Sequence, residues 1–213
     1  MKLKQYALAA ASAGLLASTG VSHAFLTTVV LNPGTVVNFD NYDGFVTSGP
    51  ELVAPGVTFS GSSSTLGAFI ADLGGNGIWG VGKVFAGLGS LGDPVATGAM
   101  TFSFSTAQAT AGAFLNAFAP DNQVTISAFG AANNLLDQHT VTIDTPNGEN
   151  AGAFFGIGLS SPLIQSIRFS GSGVVLDDLA ISTTVVPLPA AAWLFGAGLF
   201  AMGVIGRRRT MGR

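Results

Sequence analysis

The sequence predicts an all-β chain folded as one sandwich, and three observations predict it. Short runs that alternate apolar and polar residues recur between clusters of Gly, Ser, Asn and Pro, as strands do when one face is packed and the other wet. No amphipathic stretch of three helical turns interrupts them. No internal repeat is visible at the periods that mark solenoids.

The strands can be justified in chain order. Residues 35–39, 57–60, 100–104 and 124–127 alternate cleanly, and in the third run Met100, Phe102 and Phe104 fall on one side. Residues 111–118, 135–143, 151–159, 164–170 and 173–181 behave alike. They are separated by the turn signals Asn147-Gly148, Ser161-Pro162 and Gly171-Ser172-Gly173. Residues 107–113 are rich in alanine, but Gly112 and the flanking strands argue against a helix there. Residues 61–92 are less regular, with Phe69-Ile70, Ile78-Trp79 and Val84-Phe85 set in Ser and Gly, and read as strands joined by long loops. The total is roughly nine to eleven strands, at the spacing of a sandwich.

Both ends read as targeting segments. Lys2 and Lys4 precede an uncharged, Ala- and Leu-rich run at residues 6–21, and Ser22-His23-Ala24 offers small residues where a signal peptidase reads. Cleavage is expected after Ala24, an uncleaved anchor being the other reading. At the far end Val186-Pro187-Leu188-Pro189-Ala190 opens onto 17 uncharged residues, 190–206, about 26 Å as a helix and near the lower limit for crossing a bilayer. Arg207, Arg208 and Arg209 follow at once, which orients the C-terminus toward the cytoplasm. A plain tail anchor is the other reading of this segment. The expected organisation is a signal peptide at 1–24, a sandwich domain at 25–184 and a sorting segment at 185–213.

Six of the eight Lys and Arg residues belong to those two ends. That leaves Lys83 and Arg168 against eleven acids in the domain, an excess of nine negative charges. Nucleic acid is therefore an unsuitable partner. Cysteine is absent, which removes disulfides and thiolate metal sites from an exported chain.

The order Pro-x-Pro, Gly- and Ala-interrupted apolar helix, Arg run resembles the C-terminal sorting signal of PEP-CTERM proteins, in its Val-Pro-Leu-Pro-Ala variant. The middle residue is Leu188 where the parent motif has glutamate. The resemblance implies recognition by an exosortase, a membrane-embedded transpeptidase-like enzyme of Gram-negative bacteria that make extracellular polysaccharide. It also implies residence in the inner membrane before processing, then removal of the helix. The succession Phe102-Ser103-Phe104-Ser105, Asn116-Ala117-Phe118, Val124 to Phe129, Ala153 to Ile157, Ile164 to Phe169 and Leu176-Asp177-Asp178-Leu179 is similar to a domain that such proteins often carry. That likeness implies a jelly-roll sandwich like those of carbohydrate-binding modules.

Few constellations carry chemistry. Gly75-Asn76-Gly77-Ile78-Trp79-Gly80 and Gly87-Leu88-Gly89-Ser90-Leu91-Gly92 match a dinucleotide fingerprint, but neither lies between a strand and a helix, and so glycine-rich a chain produces such matches by chance. His139 is the one histidine of the domain and reads as a lone side chain on a half-exposed strand, too little for nucleophilic catalysis or zinc. The acids Asp72, Asp93, Asp121, Asp137, Asp144 and Glu149 are scattered, mostly in turns.

Asp177 differs from these. In the run Val175, Asp177, Leu179, Ile181 alternation turns its carboxylate toward the core and leaves Asp178 outside. A buried carboxylate needs a partner, which can be Arg168, a backbone amide or water. The carbohydrate-module likeness implies instead a structural calcium shared with Asp40 or Asp43, an oxygen-only set that suits the ion. For sugar stacking the domain offers one Trp, Trp79, and one Tyr, Tyr42. The expected function is that of a non-enzymatic surface or matrix protein that requires no cofactor and is associated with exopolysaccharide. A polysaccharide-binding module and a secreted hydrolase are the rivals.

Overall fold

The computed structural model describes residues 24–30, 33–39, 45–47, 49–62, 68–72, 84–88, 97–117, 122–143 and 152–185. Among them are 14 β-strands, one turn of 3₁₀ helix and no α-helix. The chain forms two antiparallel sheets. The larger contains β1 (Ala24–Thr27), β12 (Ala153–Leu159), β9 (Thr110–Ala117), β14 (Val174–Ser182), β7 (Val84–Leu88), β6 (Ala68–Asp72) and β3 (Phe45–Thr47) in that spatial order, with β2 (Thr35–Val37) also paired to β14. The smaller runs β11 (Leu135–Ile143), β10 (Asn122–Phe129), β13 (Ile164–Ser172), β8 (Thr97–Gln108), β5 (Val57–Gly61), β4 (Glu51–Ala54).

The core lies between the sheets and follows from alternation. Met100, Phe102 and Phe104 of β8 are all buried, as their spacing predicts, and so are Val57 and Phe59 of β5 and Ile167 and Phe169 of β13. Phe102 is the hub, with ring centroids 5.4 Å from Phe59, 5.9 Å from Phe39 and 6.4 Å from Phe169. From the other sheet β9 offers the smaller Ala111, Ala113 and Leu115, so large rings on one sheet meet short side chains on the other, the complementarity by which a close-packed layer forms.

The alanine-rich stretch is a strand, a corner and a strand. β8 crosses to the other sheet through fully buried Ala109, whose N–H donates to the Ser182 carbonyl at 2.7 Å and whose carbonyl accepts from the Leu159 amide at 2.8 Å. Alanine is there because the corner is interior. β1, β3 and β4, of four, three and four residues, were not legible, being too short to display a period.

Two expectations need correction. His139 is not a lone side chain, since its Nε2 lies 2.7 Å from Asp137 Oδ2 one pleat away on β11. Strand alternation puts residues i and i+2 on one face, and that spacing brings the pair together. The second correction concerns β14. Its core positions are Val174 and Leu176, then Leu179 and Ile181, so the phase slips by one across Asp177 and Asp178. The slip coincides with a register irregularity between Asp177 and Ala180 and with φ of 47° at Asp178, as in a β-bulge. The expected burial of Asp177 holds, with 0% exposure, as does the expected phase of Leu179 and Ile181, but the side differs, since Asp177 lies opposite Phe114 on the face that turns away from Leu176 and Leu115. Asp178, expected to face solvent, is buried with 6% exposure.

Candidate functional site

The outer face of the larger sheet is shaped by glycine. Gly112 of β9 and Gly156 of β12 are paired, and a Cβ on Gly112 would lie 2.6 Å from the Gly156 Cα. Only glycine permits that approach. The neighbouring pair is Phe114 with Phe154, rings edge-to-face at 5.5 Å and 72°, the geometry aromatic quadrupoles favour. Phe25 of β1 lays its ring over Gly158, where a Cβ would collide with it.

Beside this aromatic floor β14 changes partners. One edge of β14 pairs with β9. Along the other edge β7 accompanies Val175 and Leu176, and β2 accompanies Leu179, Ala180 and Ile181. Asp177 and Asp178 fall in the interval between β7 and β2. A cavity of about 400 Å³ opens at Asp178, lined also by Val30, Val36, Asn38, Phe114 and Ala180. This volume lies in the lower part of the ~300–1,000 Å³ range of small-molecule sites.

The doublet divides its work. Asp177, with 0% exposure, accepts the Asp178 backbone N–H on Oδ1 at 2.7 Å. A backbone amide is thus one partner of this buried carboxylate. Arg168 is not, because it projects from the other sheet, its Nε donating to Thr101 Oγ1 at 3.2 Å and its guanidinium 4.8 Å from the centre of the Phe129 ring. Asp178 stands outside all three ladders of β14 and contributes to the cavity wall. Its φ of 47° is left-handed, a conformation that Asp tolerates better than most residues. Phe39, next in chain to Asn38 of the wall, has φ of 57°, which a bulky residue adopts only under constraint, at a cost of about 1–3 kcal/mol. Asp178 thus lines the cavity, and Phe39 adjoins its wall through Asn38.

The outer face of the smaller sheet is different in kind. Thr125 and Thr140 hydroxyls meet at 3.0 Å, and Gln138 Nε2 donates to Ser127 Oγ at 2.9 Å. These groups are tied to one another across the strands.

Several expected site residues lie outside the described residues: Trp79, Tyr42, Asp40, Asp43, the motif Val186, Pro187, Leu188, Pro189 and Ala190, and Arg207, Arg208 and Arg209. Ala24 is described, at the start of β1 opposite Leu159. Among the described residues no three His, Cys, Asp or Glu side chains gather into a metal-binding group. The cavity residues Val36, Asn38, Phe114 and Asp178 were not anticipated as a site. The signal for them was the acid doublet itself, since two adjacent acids in an apolar central strand break its alternation.

No protein-family model and no curated protein matches the chain. Among solved structures it is similar to the arabinose-bound MgGH51 α-L-arabinofuranosidase, with 10% identity and a TM-score of 0.43, over 68% of this chain and 25% of that one. It is also similar to TmCBM61 in complex with β-1,4-galactotriose, with 9% identity and a TM-score of 0.39, over 70% of this chain and 95% of that one. A third is the Clostridium thermocellum xylanase 10B CBM22-1–GH10 modules complexed with xylohexaose, with 9% identity and a TM-score of 0.31, over 73% of this chain and 28% of that one. The chain thus spans a quarter of the arabinofuranosidase. These are distant likenesses, and the functional reading rests on the residues of this chain.

Proposed function

We propose that the chain is an exported, non-enzymatic surface or matrix protein, sorted by an exosortase, that holds extracellular polysaccharide in the cavity on its larger sheet. The observation that carries the binding is the cavity wall, apolar and aromatic on Val30, Val36, Phe114 and Ala180 and polar on Asn38 and Asp178. Sugar rings offer both C–H faces and hydroxyl edges, and a recess with an aromatic side and a few fixed polar groups suits both.

Export and sorting are supported by the sequence at the two ends, with cleavage expected after Ala24 and the sorting motif at Val186 to Ala190. Three residues separate Ser182, the last residue of β14, from Val186, so the sandwich and the sorting segment adjoin without a long linker. A jelly-roll-like reading is supported by the strand path, since from β8 to β14 the chain changes sheet at every step except β10 to β11. Hydrolysis is the poorer reading. It needs two carboxyl groups flanking one bond, whereas Asp177 serves the bulge amide and Asp137 is bonded to His139 in the other sheet.

Affinity electrophoresis of the purified full chain through gels cast with the native exopolysaccharide tests the binding. Val36 is 47% exposed on the cavity rim, so Val36→Trp can fill the recess without disturbing the core. The wild type should be retarded and the variant should run free. Equal retardation of the two would remove the cavity from the proposal.

A further inference from the structure

The β2–β14 ladder has a recess on each side. Val36 pairs with Ala180 and both line the cavity described above, whereas the next pair, Thr35 with Ile181, lines a second recess of about 310 Å³. Neighbours in a strand face opposite ways, so the two recesses lie on opposite faces of the same two strands. The second is walled by the end of β14, the end of β8 and the turn from β4 to β5. The Ser105 N–H donates to the Gly56 carbonyl at 2.9 Å, and a Cβ on Gly56, whose φ is 76°, would lie 2.5 Å from Ser105 Oγ. That turn is therefore seated against β8. Gln108, with 7% exposure, lines the recess, and its Nε2 donates to the Thr106 carbonyl at 2.6 Å. This bond orients the amide and leaves Oε1 to accept from a ligand. The hydroxyls of Thr35, Ser105 and Thr106 can turn to donate or to accept, and Pro55 and Ile181 add apolar surface.

We propose that this second recess binds one pyranose unit of a polysaccharide, so that a single domain engages glycan on both faces of the β2–β14 ladder. The inference rests on the polysaccharide reading and adds a site to it. Each hydroxyl of a sugar both donates and accepts, as the three hydroxyls of the wall do, and the Gln108 carbonyl supplies a fixed acceptor that orients the ring. Pro55 and Ile181 meet the C–H edges that the hydroxyls leave. The volume stands at the foot of the ~300–1,000 Å³ range of small-molecule sites, which suits one ring. A neutral hydrogen bond contributes little net, because water offers the same partner. The recess therefore binds a sugar weakly by itself and acts by reinforcing the first cavity, since two linked engagements hold better than either alone.

Amide chemical-shift titration of the purified full chain in phosphocholine micelles tests it, with the methyl glycosides of glucose, galactose and mannose as probes. At least one should give saturable shifts at Thr35, Ser105 and Gln108. Gln108→Met, which keeps the length of the side chain without its acceptor, should raise the midpoint at least about tenfold. Thr35→Trp, at an exposed position of the wall, should abolish the shifts, and it serves as the second variant if Gln108→Met does not fold. No saturable shift with any of the three glycosides, or shifts unchanged in the variants, overturns the inference. The same shifts from glycerol at matched hydroxyl concentration also overturn it, since the recess would then read hydroxyls without a ring. In gels cast with native exopolysaccharide, Thr35→Trp should be retarded several-fold less than the wild type and still more than Val36→Trp. Retardation of Thr35→Trp equal to that of the wild type overturns the added site and leaves the first cavity standing. A wild type that runs free in those gels, yet shows glycoside shifts that vanish in Thr35→Trp, overturns the polysaccharide reading and upholds the second recess as a sugar site.

Discussion

Asp177 Oδ1 lies 2.7 Å from the backbone nitrogen of Asp178 and accepts its hydrogen bond, so the first acid of the doublet fixes the bulge from which the second enters the cavity wall. Both side chains are buried, yet the two positions answer to different demands. At Asp177 the side chain completes the backbone, and at Asp178 the backbone presents the side chain.

Asp177→Ala should therefore destabilise the fold by about 1–3 kcal/mol, the cost of leaving a buried amide unsatisfied. Asp178→Asn should cost less, because it retains shape and the left-handed preference. Urea denaturation monitored by near-UV circular dichroism gives both values. Equal, small losses would contradict the bulge at this doublet. A chelator on the same samples checks the calcium expectation: a midpoint that falls in the wild type and stays unchanged in Asp177→Ala adds an ion to this acid's role.

Substitution at Asp178 should separate backbone from side chain. Glycine adopts φ of 47° without penalty, so Asp178→Gly should fold to within about 1 kcal/mol of wild type while losing binding in the cavity. Asp178→Val should be destabilised by about 1–3 kcal/mol, since a β-branched residue is a poor occupant of that region. If glycine and valine were equally stable, the left-handed conformation would not be a property of the protein in solution.

The glycine pair under the aromatic floor gives an independent check on the register of the larger sheet. A Cβ on Gly156 would lie 2.5 Å from the Ala111 carbonyl oxygen and 2.7 Å from the Gly112 Cα, both backbone atoms that cannot step aside. Gly156→Ala should cost about 1–3 kcal/mol as an overpacked substitution. Gly34→Ala, whose Cβ would come no closer than 3.5 Å to any neighbour, should be nearly neutral. Thermal melts of the two variants decide it, and an equal effect would contradict the β9–β12 pairing.

The strands of the core were legible because alternation reports burial directly, as Met100, Phe102 and Phe104 demonstrate. Alternation carries no information about which strand lies beside which. It could not reveal that β7 and β2 share one edge of β14, and the cavity arises from that arrangement. The same limit explains the misassigned side of Asp177. A period-two pattern extrapolated across Val175 to Ile181 assumes an unbroken pleat, and one residue of bulge reverses the faces on either side. The acid doublet was visible as an anomaly, and its meaning required the neighbours. The burial of Ala109 was hidden for a similar reason, since a corner between sheets has no period of its own.

The most direct measurement of the central claim is the intact mass of the chain recovered from the exopolysaccharide fraction of exosortase-competent cells. The account predicts a polysaccharide-associated species that begins at Phe25 and has lost the apolar segment and the Arg207 to Arg209 run that follow Pro189. A species that still ends in Arg213, recovered from the membrane and absent from the polysaccharide, would contradict it.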